Sequence, residues 1–183
     1  PVPSGRAEHG TTALRSLSVY NNSDNPCFAG HCLVLLGSGS SIPLRSLVKG
    51  DTVWTDSGPA KVRCVLRTRC QNDSAELVCF DNGLQVTPYH PINLPGKGWV
   101  HPCTVKKPVT VPCPEVYSVL LDRGHTMMIE STLVICLGHG RTEGILEHSF
   151  YGTQKVIDFL AGCSGWPSGL VDLGPGCVER NEE

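Results

Sequence analysis

Between residues 33 and 137 the chain alternates short apolar runs with clusters of turn formers. The runs fall at 33–36, 52–55, 60–66, 75–80, 84–87, 116–121, 126–129 and 132–137. Gly37-Ser38-Gly39-Ser40, Lys49-Gly50-Asp51, Asp56-Ser57-Gly58, Asp81-Asn82-Gly83 and Asp122-Arg123-Gly124 separate them. Glycine after Asp or Asn supplies the positive φ of a tight hairpin turn. Such signals at intervals of about 8–12 residues, with β-branched runs between them, predict an all-β fold with hairpins at 56–58, 81–83 and 122–124. Residues 91–115 break the pattern with Pro91, Pro95, Pro102, Pro108, Pro112 and Pro114, and read as a long irregular surface excursion.

Both ends depart from this rhythm. Residues 1–26 are small and polar, with one amphipathic hint at 13–17, and end in the turn-rich linker Asn21-Asn22-Ser23-Asp24-Asn25-Pro26. After Gly140 the period changes, and the spacing predicts a helix over 153–162. Thr153 can cap it, Val156, Ile157 and Leu160 share a face, and Gly162 can end it. The Gly/Pro-rich stretch 163–183 reads as a loosely packed tail.

Hydrophobic residues make up 40% of the 183-residue chain, enough for a real core. A net charge of −2 with no basic run argues against a nucleic-acid partner. No apolar stretch reaches the roughly 18 residues of a membrane span. The start at Pro1 reads as a piece of a longer protein. Ten cysteines could form a disulfide framework. Yet several, such as Cys79 and Cys136, sit in apolar runs as small hydrophobes, and the absence of any Cys-x-x-Cys gives a zinc site little support. Reduced thiols and an intracellular (cytoplasmic) address follow as the expectation.

The candidate chemistry begins at Cys27, which stands where linker gives way to β-rich fold. A thiol there is placed to attack the Pro26 carbonyl, turning the Pro26–Cys27 amide into a thioester. The departing nitrogen needs a proton, and a positioned general acid contributes about 10²–10⁴-fold. His90 can supply it, and the Thr87 hydroxyl, three residues earlier, can orient the amide or the intermediate. By itself Thr87-Pro88-Tyr89-His90 could equally be a strand end with a surface histidine. His31 could lower the thiol's pKa, and His139, between two glycines, could reach the site. His101 reads as a loop histidine, and His9 and His148 as solvent-facing.

Four motifs in order carry a family resemblance: Cys27-Phe28-x-Gly30; Leu44-x-x-Leu47-x-x-Gly50-Asp51-x-Val53; Leu84-x-Val86-Thr87-Pro88-x-His90; and Val116-Tyr117-Ser118-Val119 with Gly124-His125-Thr126. Together they resemble the Hedgehog/intein autoprocessing (Hint) domain over roughly 27–140. Asn25-Pro26-Cys27-Phe28, the Leu137-Gly138-His139-Gly140 end and Phe150-Tyr151-Gly152-Thr153 are similar to the subtype attached to von Willebrand A domains, called Vint. The resemblance implies a horseshoe of twisted antiparallel strands with a short C-terminal helical appendage. It divides the chain into an upstream flank (1–26), the Hint domain (27–140) and an extension (141–183).

It also implies roles. Cys27 matches the nucleophile, and Thr87 and His90 match the pair that activates the scissile amide. Cys136 aligns with a second cysteine of Hedgehog-type members that assists early steps, or is an ordinary buried thiol. His125 matches the intein histidine that helps cyclise a terminal asparagine. No His-Asn pair follows Cys136, so splicing is not expected, and His125 is read as structural or as part of a local hydrogen-bond network. Residues 65–70 lack the aspartate with which Hedgehog-type members activate a sterol, so sterol transfer is disfavoured. The expected activity is self-cleavage, with the chain's own N-terminal flank as substrate, water or a small nucleophile as acceptor, and no cofactor or metal. A catalytically inactive scaffold and a trans-acting cysteine hydrolase are the alternatives.

Overall fold

Turn-separated apolar runs give fourteen strands and one α-helix over residues 25–174, the part of the chain that this computed structural model describes. The strands are β1 (Phe28–Ala29), β2 (Leu33–Leu35), β3 (Ser41–Pro43), β4 (Thr52–Thr55), β5 (Gly58–Arg69), β6 (Ser74–Cys79), β7 (Gln85–Val86), β8 (Ile92–Leu94), β9 (Gly98–Val100), β10 (Val109–Pro112), β11 (Glu115–Leu121), β12 (Thr126–Ile129), β13 (Thr132–Ile135) and β14 (Leu170–Leu173). The hint at 13–17, His9, Cys177 and the end of the chain from 175 lie outside the described residues.

Two sheets result. The larger runs β10-β6-β7-β1-β11-β5-β14, with β4 paired to β5, and the smaller runs β3-β2-β12-β13-β8-β9. Pairing is antiparallel except where β14 joins β5. The fold is the all-β horseshoe that the motifs imply, and its main apolar cluster joins residues of both sheets, including Phe28, Val34, Leu77, Val119, Met127 and Ile129. No helix among the described residues is long and apolar enough to cross a membrane.

The hairpins at 56–58 and 81–83 form, joining β4 to β5 and β6 to β7. The one expected at 122–124 does not. There β11 stays beside β1 and β5, and the chain crosses to the other sheet, where β12 pairs with β2 and β13. The local turn signal was sound, but the partner of each flanking strand is decided by distant segments. The β12–β13 hairpin turns instead at Glu130 and Ser131, both at positive φ (47° and 60°), a primed turn built without glycine.

Two further expectations need correction. The proline-rich stretch is no free excursion: β8 and β9 form a hairpin, and β10 pairs with β6. Its Pro112 lies on β10, at the sheet edge, where a missing N–H costs no ladder bond. The segment after 162 is likewise not all tail. β14 adds to β5, with Val171 and Leu173 buried. The helix α1 (Gln154–Ala161) forms as expected, with the Thr153 hydroxyl accepting from the Lys155 amide (3.3 Å) and Gly162 as its C-cap. Its Val156 and Leu160 join Cys64, Leu66, Leu120, Leu137 and Tyr151 in a second cluster. That placement explains why 64–66 of β5 are buried consecutively: Val65 faces the main cluster, while Cys64 and Leu66 face the second.

Candidate active site

The geometry of the Pro26–Cys27 peptide follows from the register of β1. Phe28 faces Tyr117 of β11 on one side and Val86 of β7 on the other. Antiparallel pairing one step back brings Cys27 between Ser118 and Thr87. The Thr87 amide donates to the Cys27 carbonyl (2.9 Å), extending the ladder. Side chains take over for the scissile peptide itself. Its N–H donates to Thr87 Oγ1 (3.0 Å), and its carbonyl, that of Pro26, accepts from Ser118 Oγ. Thr87 Oγ1 in turn donates to the Asn25 carbonyl at 2.6 Å.

Cys27 Sγ lies 3.2 Å from the same Ser118 Oγ. The serine proton is directed to the Pro26 oxygen, so the thiol donates to Ser118 Oγ. Cys27 is fully buried, and burial pushes its thiol up to about 12. A hydrogen bond from Ser118 to the thiolate would oppose this shift, and the neighbouring Cys113 adds to it. At neutral pH the sulfur carries its proton.

His90 reaches the junction through the turn that follows β7, where its amide donates to the Thr87 carbonyl (3.3 Å). Its ring packs on Phe28, with centroids 4.2 Å apart. Nε2 meets the Ile135 carbonyl at 2.7 Å. A carbonyl only accepts, so Nε2 carries a proton and Nδ1 is left with its lone pair. The Pro26 carbonyl lies beside the ring and favours its protonated form, yet completes no hydrogen bond to Nδ1. Burial dominates and lowers the imidazole to about 4. His90 is therefore neutral at physiological pH.

The other candidates are distributed around this centre. Cys136 is buried directly after β13, and burial raises its thiol. Its amide donates to the His125 carbonyl at 2.8 Å, so these two residues share a backbone link. His125 itself adopts a left-handed conformation (φ 58°), with Nδ1 buried and unbonded among the described residues. Burial, followed by the Arg141 charge, lowers its pKa. His31 is exposed in the turn after β1. His139 is buried, accepts the Arg141 amide at Nδ1 (3.0 Å), and is lowered to about 4 by burial. Beside the junction a cavity of about 310 Å³ has Pro26, Cys136 and His139 in its wall. Among the described residues no group of three or more His, Cys, Asp or Glu could hold a metal ion.

Ser118 is the residue that sequence reasoning missed. The available signal was a lone serine inside the run 116–121, whose other members are Val, Tyr and Leu. Cys70 and Cys113, counted among the ten cysteines, were given no role by the sequence. The interaction between the two thiols lowers Cys113 and raises Cys70.

A family model, Vint, described as a Hint-domain, matches residues 26–183. No curated protein matches the chain. Among solved structures, the chain is similar to a DnaB intein from Synechocystis sp. PCC 6803, at 15% identity and a TM-score of 0.46, over 61% of this chain and 98% of that one. A bacterial intein-like domain from Clostridium thermocellum gives 14% identity and a TM-score of 0.49, over 60% of this chain and 97% of that one.

Proposed function

The chain belongs to the Vint family of Hint domains, and from this premise we propose that it cleaves itself at the Pro26–Cys27 bond by an N–S acyl shift. The observation that carries the reading is the double grip on one peptide unit, with Ser118 on its carbonyl and Thr87 on its nitrogen. A buried amide held this way by side chains is preorganised for charge that develops on its oxygen.

A thiol near 12 is not a ready thiolate, so attack goes through a proton relay. Cys27 Sγ bonds to the Pro26 carbonyl carbon as its proton passes to Ser118 Oγ, and the Ser118 proton passes to the Pro26 oxygen. The product is a neutral tetrahedral centre. Collapse restores the carbonyl and breaks the C–N bond. Neutral His90 takes the hydroxyl proton on Nδ1 and returns it to the Cys27 nitrogen. Thr87 Oγ1, already bonded to that nitrogen, orients it. The net change moves the acyl group from nitrogen to sulfur and the thiol proton to the amine. Water or a small nucleophile then releases residues 1–26. Cys136 and His125 act as supports on the far side of His90 through the strand that carries the Ile135 carbonyl.

Burial of Cys27 weighs against a trans-acting hydrolase, because no external peptide can meet a sulfur with 0% exposure. The direct test follows intact mass over time, with and without hydroxylamine or dithiothreitol. Release of residues 1–26, accelerated by either nucleophile and lost in Cys27→Ala, is expected. A Cys27→Ala chain that cleaves at the wild-type rate would falsify the mechanism. A wild-type chain left whole by excess hydroxylamine would leave an inactive scaffold as the better description.

A further inference from the structure

The cavity beside the junction joins parts of the chain that the acyl shift does not use. Pro26 contributes to its wall, whereas Cys27 and Ser118 do not. An occupant would therefore meet the acyl residue without first meeting the sulfur. Ile135 and Leu137 form one side, and Ile145, Leu146 and Tyr151 of the extension form another. At about 310 Å³ it has the volume of a small-ligand site.

Its charge is as informative as its shape. Glu147 is the one carboxylate in the lining, which contains no Lys or Arg. His139, lowered to about 4, adds no positive charge at neutral pH. Arg141, two residues on, directs its guanidinium at Asp56 (3.0 Å) and lies over the Trp99 ring. Tyr89, His101 and His148 add polar edges to walls that are otherwise mainly apolar, and with Glu147 as the one carboxylate and no Lys or Arg the lining suits a small amine with an apolar body better than a carboxylate or a phosphate.

We propose that this cavity binds the acyl acceptor and that the acceptor is a small apolar primary amine. This rests on the thioester reading above. The amine enters by the Glu147 rim and sheds its extra proton to solvent. Its nitrogen lone pair attacks the Pro26 thioester carbonyl, and the C–S bond breaks. One amine proton goes to the sulfur, regenerating the Cys27 thiol, and an amide forms on Pro26. The extension is then part of the acceptor site as well as a cover for the sheet.

The test uses the full chain and isobutylamine, with glycine as a carboxylate-bearing control at equal free-amine concentration. Intact mass should show the isobutylamide of residues 1–26 forming about tenfold faster than the glycine adduct. Ile145→Trp, at a position 38% exposed on the cavity wall, should cut the ratio of isobutylamide to hydroxylamine product severalfold. Equal adduct rates in the wild type, or an unchanged ratio in Ile145→Trp, would overturn the proposal. A separate arm titrates isobutylamine into the unreactive Cys27→Ala chain by amide NMR. Saturable shifts at Leu137, His139 and Leu146 are expected, and their absence overturns the cavity assignment. If those shifts appear while hydroxylamine releases nothing from the wild type, the thioester reading fails and an amine-binding cavity stands.

Discussion

Ser118 matters through its contacts and His90 through its burial. Ser118 contacts both the Cys27 sulfur and the Pro26 carbonyl oxygen, so in the proposed acyl shift its hydroxyl is the proton relay and the donor to that oxygen together. Ser118→Ala should slow release of residues 1–26 by about 10²-fold, as loss of one such donor does elsewhere, measured by quenched intact-mass time courses. His90 matters through burial. Its ordinary pKa of 6.5 falls to about 4 in the fold, so the unfolded chain takes up the proton first as pH drops. The corresponding stability is complete above about 6.5 and is lost as pH falls toward 4, at most roughly 3 kcal/mol. His139 adds a loss of the same sign. Urea midpoints of Cys27→Ala should fall over that window, and His90→Gln should flatten part of the slope. A pH-independent midpoint would contradict the buried neutral imidazole. Cys27, Thr87 and His90 could be named from the chain because their spacing and residue types are unusual together. Ser118 could not, since a serine in a strand has many structural uses and its importance comes from the strand beside it.

At the scale of elements, two turns brace one another. Asn82 Nδ2 of the β6–β7 turn donates to the Glu130 carbonyl (2.7 Å), and the Glu130 carboxylate accepts the Leu33 amide (2.6 Å). Glu130 is thus fixed by its contacts, whereas Ser131 sits at φ 60° and its conformation is one that glycine adopts without the side-chain cost. Ser131→Gly should raise stability by about 0.5–1 kcal/mol, the difference between the left-handed cost and glycine's entropy, visible as a rise in melting temperature. An unchanged or lower value would show that the serine is not strained there. The Asn82-Gly83 turn was legible because its residues match the turn's dihedrals. Glu130-Ser131 was not, because long-range contacts impose the turn on an unfavourable pair. The prolines misled for a related reason: their positions at edges and turns let strands form around them.

Across the molecule, the extension converts β5 and β11 from one-sided to two-sided strands. Leu66 and Leu120 face α1 and β14, while Val65 and Val119 face the main core. Leu160, fully buried in α1, links the two ends of this arrangement. Leu160→Ala should cost about 2–5 kcal/mol, and tryptophan fluorescence and far-UV circular dichroism should report one coincident urea transition at a lower midpoint. Two separated transitions would instead mean that the extension folds independently of the sheets. Asp172, which bridges Arg67 (2.5 Å) and Arg69 (3.2 Å) between β14 and β5, contributes less, because the pairs are partly exposed. The amino-acid sequence alone determined the β-rich class, most strands, the capped helix and the junction cysteine, since these depend on local periodicity, turn chemistry and short motifs. Tertiary structure decided which strands are neighbours, and hence that Ser118 meets Cys27, that residues after 162 complete a sheet, and that Glu147 rims a cavity beside Pro26. Those facts depend on contacts between residues tens of positions apart, and hydrophobic patterning specifies which face of a strand is buried without specifying what buries it.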